Sequence, residues 1–174
     1  MALQAITNLA PSGSYQYNES PDQVLTFEVG DAGTKLFTLD DDENIRVHAL
    51  SPAYSVSSAT AGGQGSFFGS WSSHGRTRIK PDGTKAITHA GGGEIQSNTF
   101  NTPWDVSNID GARGTSDLDL ASGDTATATP RRGLTVGNSG STFVVSHISD
   151  ARLLSYSMST AWEVGGQTLV AEVD

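Results

Sequence analysis

Arg76-Thr77-Arg78-Ile79-Lys80, Pro81-Asp82-Gly83-Thr84, Lys85-Ala86-Ile87-Thr88-His89 reads as a hairpin written out in full. Proline pre-sets φ at the turn's entry, and glycine accepts the positive φ that a tight turn requires. Polar and apolar residues alternate on either side, the period of a strand with two unlike faces. Similar units lie upstream and downstream. Gln23 to Val29 predicts a strand with Leu25, Phe27 and Val29 on its core face. A turn at Gly30-Asp31-Ala32-Gly33 then returns the chain through Lys35 to Leu39. Ile45, Val47 and Ala49 alternate with Arg46 and His48, and Ala53 to Ser58 resumes after Pro52.

Farther along, Ser66 to Trp71, Glu94 to Phe100, Leu134 to Val136, Thr142 to Ile148 and Arg152 to Met158 carry strand patterns. Thr125 to Thr129 has the look of an edge strand. Thr160 to Val164 and Gln167 to Val173 flank Gly165-Gly166, a pair suited to a two-residue hairpin loop. Residues 101–124 hold Pro103, three glycines and five aspartates, and read as one long surface excursion. No convincing helix, heptad or fixed-period repeat is visible, which argues against a solenoid or a propeller. The expected fold is all-β: an antiparallel sandwich or barrel of about eight to ten strands, a jelly roll foremost. Residues 1–22 read as an N-terminal arm, broken at Pro11, and 23–174 as a single domain.

Composition narrows the function classes. The formal net charge is −9, so nonspecific nucleic-acid or anionic-membrane binding is disfavoured. Lysines are confined to Lys35, Lys80 and Lys85; an acidic, lysine-poor surface suits a saline, halophilic setting. The absence of cysteine excludes disulfides and zinc–thiolate sites. Residues 1–10 lack the basic start and long apolar core of a signal peptide, and no run nears the roughly 18 apolar residues of a membrane span. Synthesis in a cytoplasm without export follows as the expectation.

Candidate sites are few. His48, His74, His89 and His147 lack metal-motif spacing, and His48 and His89 fall on polar strand phases. Gly69 to Gly75 lacks the G-x-S-x-G spacing of a nucleophile elbow. Asp40 to Glu43 is consecutive rather than alternating, so it reads as a solvated acidic loop and not a calcium loop. Asn108, Asp110, Asp117 and Asp119 form a second, equally weak oxygen cluster. No catalytic, metal or cofactor site is assigned, and the chain is expected not to be an enzyme. Basic residues gather at Arg76, Arg78, Lys80 and Lys85 and again at Arg131-Arg132. On an acidic protein such spots dock acidic spots of identical neighbours, so these six, with the arm residues Tyr15 and Tyr17, are the subunit-contact candidates. Trp104, Asp105 and Asp110 are the ligand-loop candidates, since an exposed indole stacks on sugar rings.

In its single β-rich body, arm, polar loops and charge patches, the chain resembles the small single-jelly-roll capsid proteins of icosahedral viruses. The resemblance is one of architecture and composition over the whole chain, and no motif carries it. It implies a virion structural protein, a capsid or capsid-decorating subunit assembling with itself or with other virion proteins. The alternative is a carbohydrate- or receptor-binding β-sandwich of the phage tail or fibre type, with a glycan as ligand.

Overall fold

The computed structural model describes residues 24–40, 44–66, 76–89, 94–117, 133–147 and 152–173. Among the described residues, twelve strands fall into three four-stranded antiparallel sheets. The first holds β1 (Val24–Gly30), β2 (Lys35–Asp40), β3 (Asn44–Ala49) and β4 (Thr60–Ser66). Next come β5 (Arg76–Ile79), β6 (Lys85–His89), β7 (Glu94–Phe100) and β8 (Ile109–Asp117). The third holds β9 (Gly133–Gly137), β10 (Thr142–His147), β11 (Arg152–Ser157) and β12 (Thr168–Val173). In each sheet every strand pairs with its neighbours in sequence, so each is a plain meander. The first strands lie together, β1 against β5 and β5 against β9, and the sheets fan out from them.

This corrects the expected jelly roll. A jelly roll distributes distant strands over two facing sheets; here no strand leaves its own group of four. The core accordingly lies in two seams between sheets. Phe37, Leu39, Ile45 and Val47 of the first sheet meet Ile79, Ala86, Phe100 and Val106 of the second. Ile87 and Ile95, on the opposite face of the second sheet, meet Leu134, Phe143, Val145, Leu154 and Tyr156 of the third. The Phe143 and Tyr156 rings stack with centroids 5.0 Å apart. A middle sheet covered on both faces explains why four successive residues of β6, Ala86 to His89, are buried.

Locally, one turn recurs. Gly33, Gly83 and Gly140 stand at positive φ in the β1–β2, β5–β6 and β9–β10 loops. About twenty residues later in each sheet an aromatic residue follows the third strand, and the three are Tyr54, Trp104 and Trp162. Each also adopts positive φ. Each donates its amide N–H to the carbonyl of its glycine, at 2.7, 2.9 and 2.8 Å. The ring lies over the glycine so closely that a Cβ on Gly83 would stand 2.3 Å from the Trp104 indole. Only glycine combines that clearance with that backbone. The flanks agree: KPDGTKAI (80–87) matches GDAGTKLF (30–37) and GNSGSTFV (137–144), and FNTPWDV (100–106) matches LSPAYSV (50–56) and MSTAWEV (158–164). A repeat of about fifty residues is therefore present, against the sequence reading.

Other expectations also change. Phe27 is exposed while Thr26 is buried, so the apolar side of β1 is not its core face. The stretch 101–124 contains β8, and the Gly165-Gly166 pair does not close a hairpin, because β12 pairs with β11. The arm, Ser66 to Trp71 beyond Ser66, and Thr125 to Thr129 lie outside the described residues.

Candidate functional site

The inner strands β1, β5 and β9 each pair on one side only, leaving their free edges toward a common axis. Lys80 N–H bonds back to Lys85, so the neighbouring Ile79 N–H points to the open edge. Glu28 takes that donor, Oε2 to N 2.8 Å, and so ties the first sheet to the second. Strand registers put Val29, Ile79 and Val136 opposite Leu36, Ala86 and Phe143, which makes Glu28, Arg78 and Thr135 equivalent positions. Around the axis, one turn of the repeat thus presents an acid, a base and a hydroxyl. Arg76 adds a second cation two residues along from Arg78 on the same face of β5.

Burial pushes the Glu28 carboxyl above its ordinary 4.5, and the Ile79 amide and the charge of Arg78 only partly offset this. Glu28 is thus a half-buried carboxylate beside the charge of Arg78 at the edge of an inner strand. Arginine's planar fork suits anions that accept through two oxygens, such as carboxylate and phosphate. Among the described residues no group of three or more His, Asp or Glu could hold a metal ion.

The cationic hairpin is therefore inner-strand structure. Lys80 pairs with Asp82 at 2.6 Å, and Lys85 pairs with Glu163 of the third sheet. Burial opposes ionisation of Asp82, but hydrogen bonds from Lys80 and Thr84 and the ammonium charge together prevail and hold it at about 2. Trp104 packs partly buried against the first seam, and Asp105 accepts from Ser107 N–H at 3.0 Å in the same loop. Asp110 sits in β8 opposite Thr99. Tyr15, Tyr17, Arg131 and Arg132 lie outside the described residues. His48 and His89 are buried, not solvated, and His48 Nε2 lies 3.3 Å from Thr38 Oγ1. Asp40 is buried too, accepting from Asn44 N–H at 2.7 Å and facing Arg46 at 3.5 Å. Sequence reading placed Glu28 only on a strand face; its partner, fifty-one positions away, leaves no local signal.

No protein-family model matches the sequence, and no curated protein matches it. Solved structures do. A Lactobacillus plantarum protein aligns at TM-score 0.61 and 14% identity, over 87% of this chain and 41% of that one. The periplasmic gluconolactonase PpgL of Pseudomonas aeruginosa aligns at 0.54 and 16%, over 87% and 41%. The β-propeller domain of Cps50 (Swd1) from Myceliophteria thermophila aligns at 0.53 and 11%, over 87% and 43%. The three sheets are β-propeller blades. The chain spans less than half the length of the proteins it matches.

Each meander is one blade, β1, β5 and β9 line the axis, and the glycine–aromatic clamp marks the same end of every blade. The likeness overturns the functional expectation as well. The similar solved structures named here include a gluconolactonase and a β-propeller domain, and no capsid subunit, tail or fibre module. The virion reading leaned on a jelly roll, and the described residues form three meander blades instead.

Proposed function

We propose that this chain is a β-propeller binding platform, not an enzyme, and that it takes a small anionic ligand at the axial edge of its inner strands. The observation that carries the reading is Arg78 on the innermost strand of the middle blade, its charge acting on the half-buried Glu28. A guanidinium on an inner strand, next to strand-edge amides, favours a ligand with two or more acceptor oxygens. A carboxylate of a sugar acid and a phosphate share that chemistry. The name of the Pseudomonas neighbour, a gluconolactonase, suggests the first probe. Engagement of the Glu28 carboxylate by Ile79 supports a positioning role in binding rather than proton transfer.

Calorimetric titration with gluconate and with inorganic phosphate tests this. One of them is expected to bind with an affinity that falls as salt rises, and Arg78→Ala should weaken it about tenfold or more, the scale of one charge-assisted hydrogen bond. Binding unchanged in Arg78→Ala, or none up to millimolar ligand, would overturn the reading. Turnover of gluconolactone by the purified chain would overturn its non-enzymatic part.

A further inference from the structure

An Asp-Gly pair is a chemically fragile link, because glycine has no side chain to shield its amide nitrogen from the preceding carboxyl group. This chain has two, Asp82-Gly83 and Asp110-Gly111. Only the first lies at a glycine–aromatic clamp; in the other two clamps Gly33 follows Ala32 and Gly140 follows Ser139. The reaction is an internal condensation. The Gly83 nitrogen bonds to the side-chain carboxyl carbon of Asp82, one carboxyl oxygen leaves as water, and a five-membered succinimide closes. Water then adds to one of the two ring carbonyls. Addition at the main-chain carbonyl yields isoaspartate, whose backbone runs through the side-chain carbon and is one methylene longer. Water is the only species lost and regained, and no oxidant or reductant is needed.

The closed turn withholds each requirement of that reaction. The nitrogen that must attack is engaged, since Gly83 N–H donates to the Lys80 carbonyl at 2.7 Å. Both oxygens of the carboxyl that must swing toward it are engaged as well. Asp82 Oδ1 accepts from Thr84 N–H at 3.0 Å and from Thr84 Oγ1 at 2.6 Å, and Oδ2 pairs with Lys80 Nζ at 2.6 Å. Burial opposes ionisation, but these donors and the ammonium charge keep the carboxyl at about 2. The neutral acid, the form that sheds water, is therefore scarcer than in the unfolded chain. Above the turn, Trp104 N–H donates to the Gly83 carbonyl at 2.9 Å, and its indole covers the glycine.

The clamp also rejects the product. A Cβ on Gly83 would already stand 2.3 Å from the indole, so the turn has no room for an added atom there. An extra backbone carbon just before Gly83 displaces the glycine from both the Trp104 ring and its Lys80 partner. We propose that Asp82-Gly83 is a latent isoaspartate site, held shut by the closed middle clamp and released when that clamp opens. A long-lived opening is thereby written into the backbone, and the clamp does not re-form. The product carries a free α-carboxylate in mid-chain, the group that an isoaspartyl carboxyl methyltransferase esterifies from S-adenosylmethionine.

Prolonged warm incubation of the full chain at neutral pH tests this. Peptide mapping by mass spectrometry locates isoaspartate at Asp82 and Asp110, and methyl transfer by an isoaspartyl methyltransferase counts it. In native buffer Asp82 should isomerise at least about tenfold more slowly than in the same chain unfolded in urea, the scale of opening one hydrogen-bonded turn. Lys80→Met and Thr84→Val should each raise the native rate about threefold, the scale of one solvent-screened contact, and leave the rate in urea unchanged. Trp104→Leu should raise it about tenfold by opening the clamp; if that variant misfolds, the two surface variants carry the test. The rate at Asp110, in β8, should stay level in the surface variants and so reports any general unfolding. Equal rates at Asp82 in native buffer and urea, no response to Lys80→Met and Thr84→Val, or a matching rise at Asp110 would each overturn the proposal.

Discussion

Gly83 and Gly165 both hold positive φ, at +73° and +117°, but they do so for different reasons. Gly83 lies under the Trp104 ring, whereas an added Cβ at Gly165 would meet nothing within 4 Å. Gly83→Ala combines a backbone penalty with a clash and should cost about 2–4 kcal/mol; Gly165→Ala should cost only the backbone penalty, about 1 kcal/mol. Urea melts of the two variants separate them, and equal losses would mean that the clamp adds nothing. At Glu28 the sign of the pH effect is fixed by burial. Its folded pKa is raised above 4.5, so the folded chain holds the proton longer than the unfolded one. Stability therefore falls as pH rises from 4.5 through the folded value, and the favourable contribution is complete below 4.5. Glu28→Gln keeps an acceptor for Ile79 N–H and removes the titration. Between pH 4 and pH 7 its urea midpoint should drop less than that of the wild type. A parallel drop would show that Glu28 does not titrate abnormally.

At the scale of elements, the hairpins near the axis and the outer strand β12 were legible, and the outer strands β4 and β8 were not. The Arg76–His89 hairpin, β2, β3, β7, β10 and β11 follow from alternation and turn residues. The outermost strands β4 (TAGGQGS) and β8 (IDGARGTSD) are rich in glycine and small polar residues. An outer strand packs against little, so its sequence carries almost no apolar period. The repeat escaped for a related reason. Equivalent seam positions differ freely, as Phe37, Ile87 and Val144 show, and only the glycine–aromatic clamp is held, in loops where periodicity is not sought. Seams between elements also depend on single polar contacts. Ser97→Ala leaves the buried Val164 N–H without its acceptor and should destabilise by about 1–3 kcal/mol in thermal or urea unfolding. A loss below a few tenths would mean that the second seam is held by apolar packing alone.

For the whole molecule, the middle blade belongs to both apolar clusters, which couples the three blades into one cooperative unit. Phe37→Ala in the first seam should cost about 3–5 kcal/mol and Leu154→Ala in the second about 2–5 kcal/mol. Both should shift one and the same transition, read by tryptophan fluorescence and circular dichroism together. Two separated transitions in either variant would mean that the seams melt independently. The candidate site was half legible at this scale. The cationic hairpin stood out in an acidic chain, but that it faces an axis follows only once three sheets are set side by side.

The meander order of each blade also governs how the chain emerges from a ribosome. All four strands of the first blade are contiguous, so they can pair as soon as residue 66 is free, from local contacts that form fast. Phe37 and Ile45 then wait, uncovered, until the second blade arrives through Phe100. That blade hides them and in turn presents Ile87 and Ile95, which wait for Phe143 to Tyr156. Synthesis thus passes one sticky surface down the chain, never more than one blade ahead of its cover. The third blade, once it has covered Ile87 and Ile95, turns Leu153 outward, half exposed.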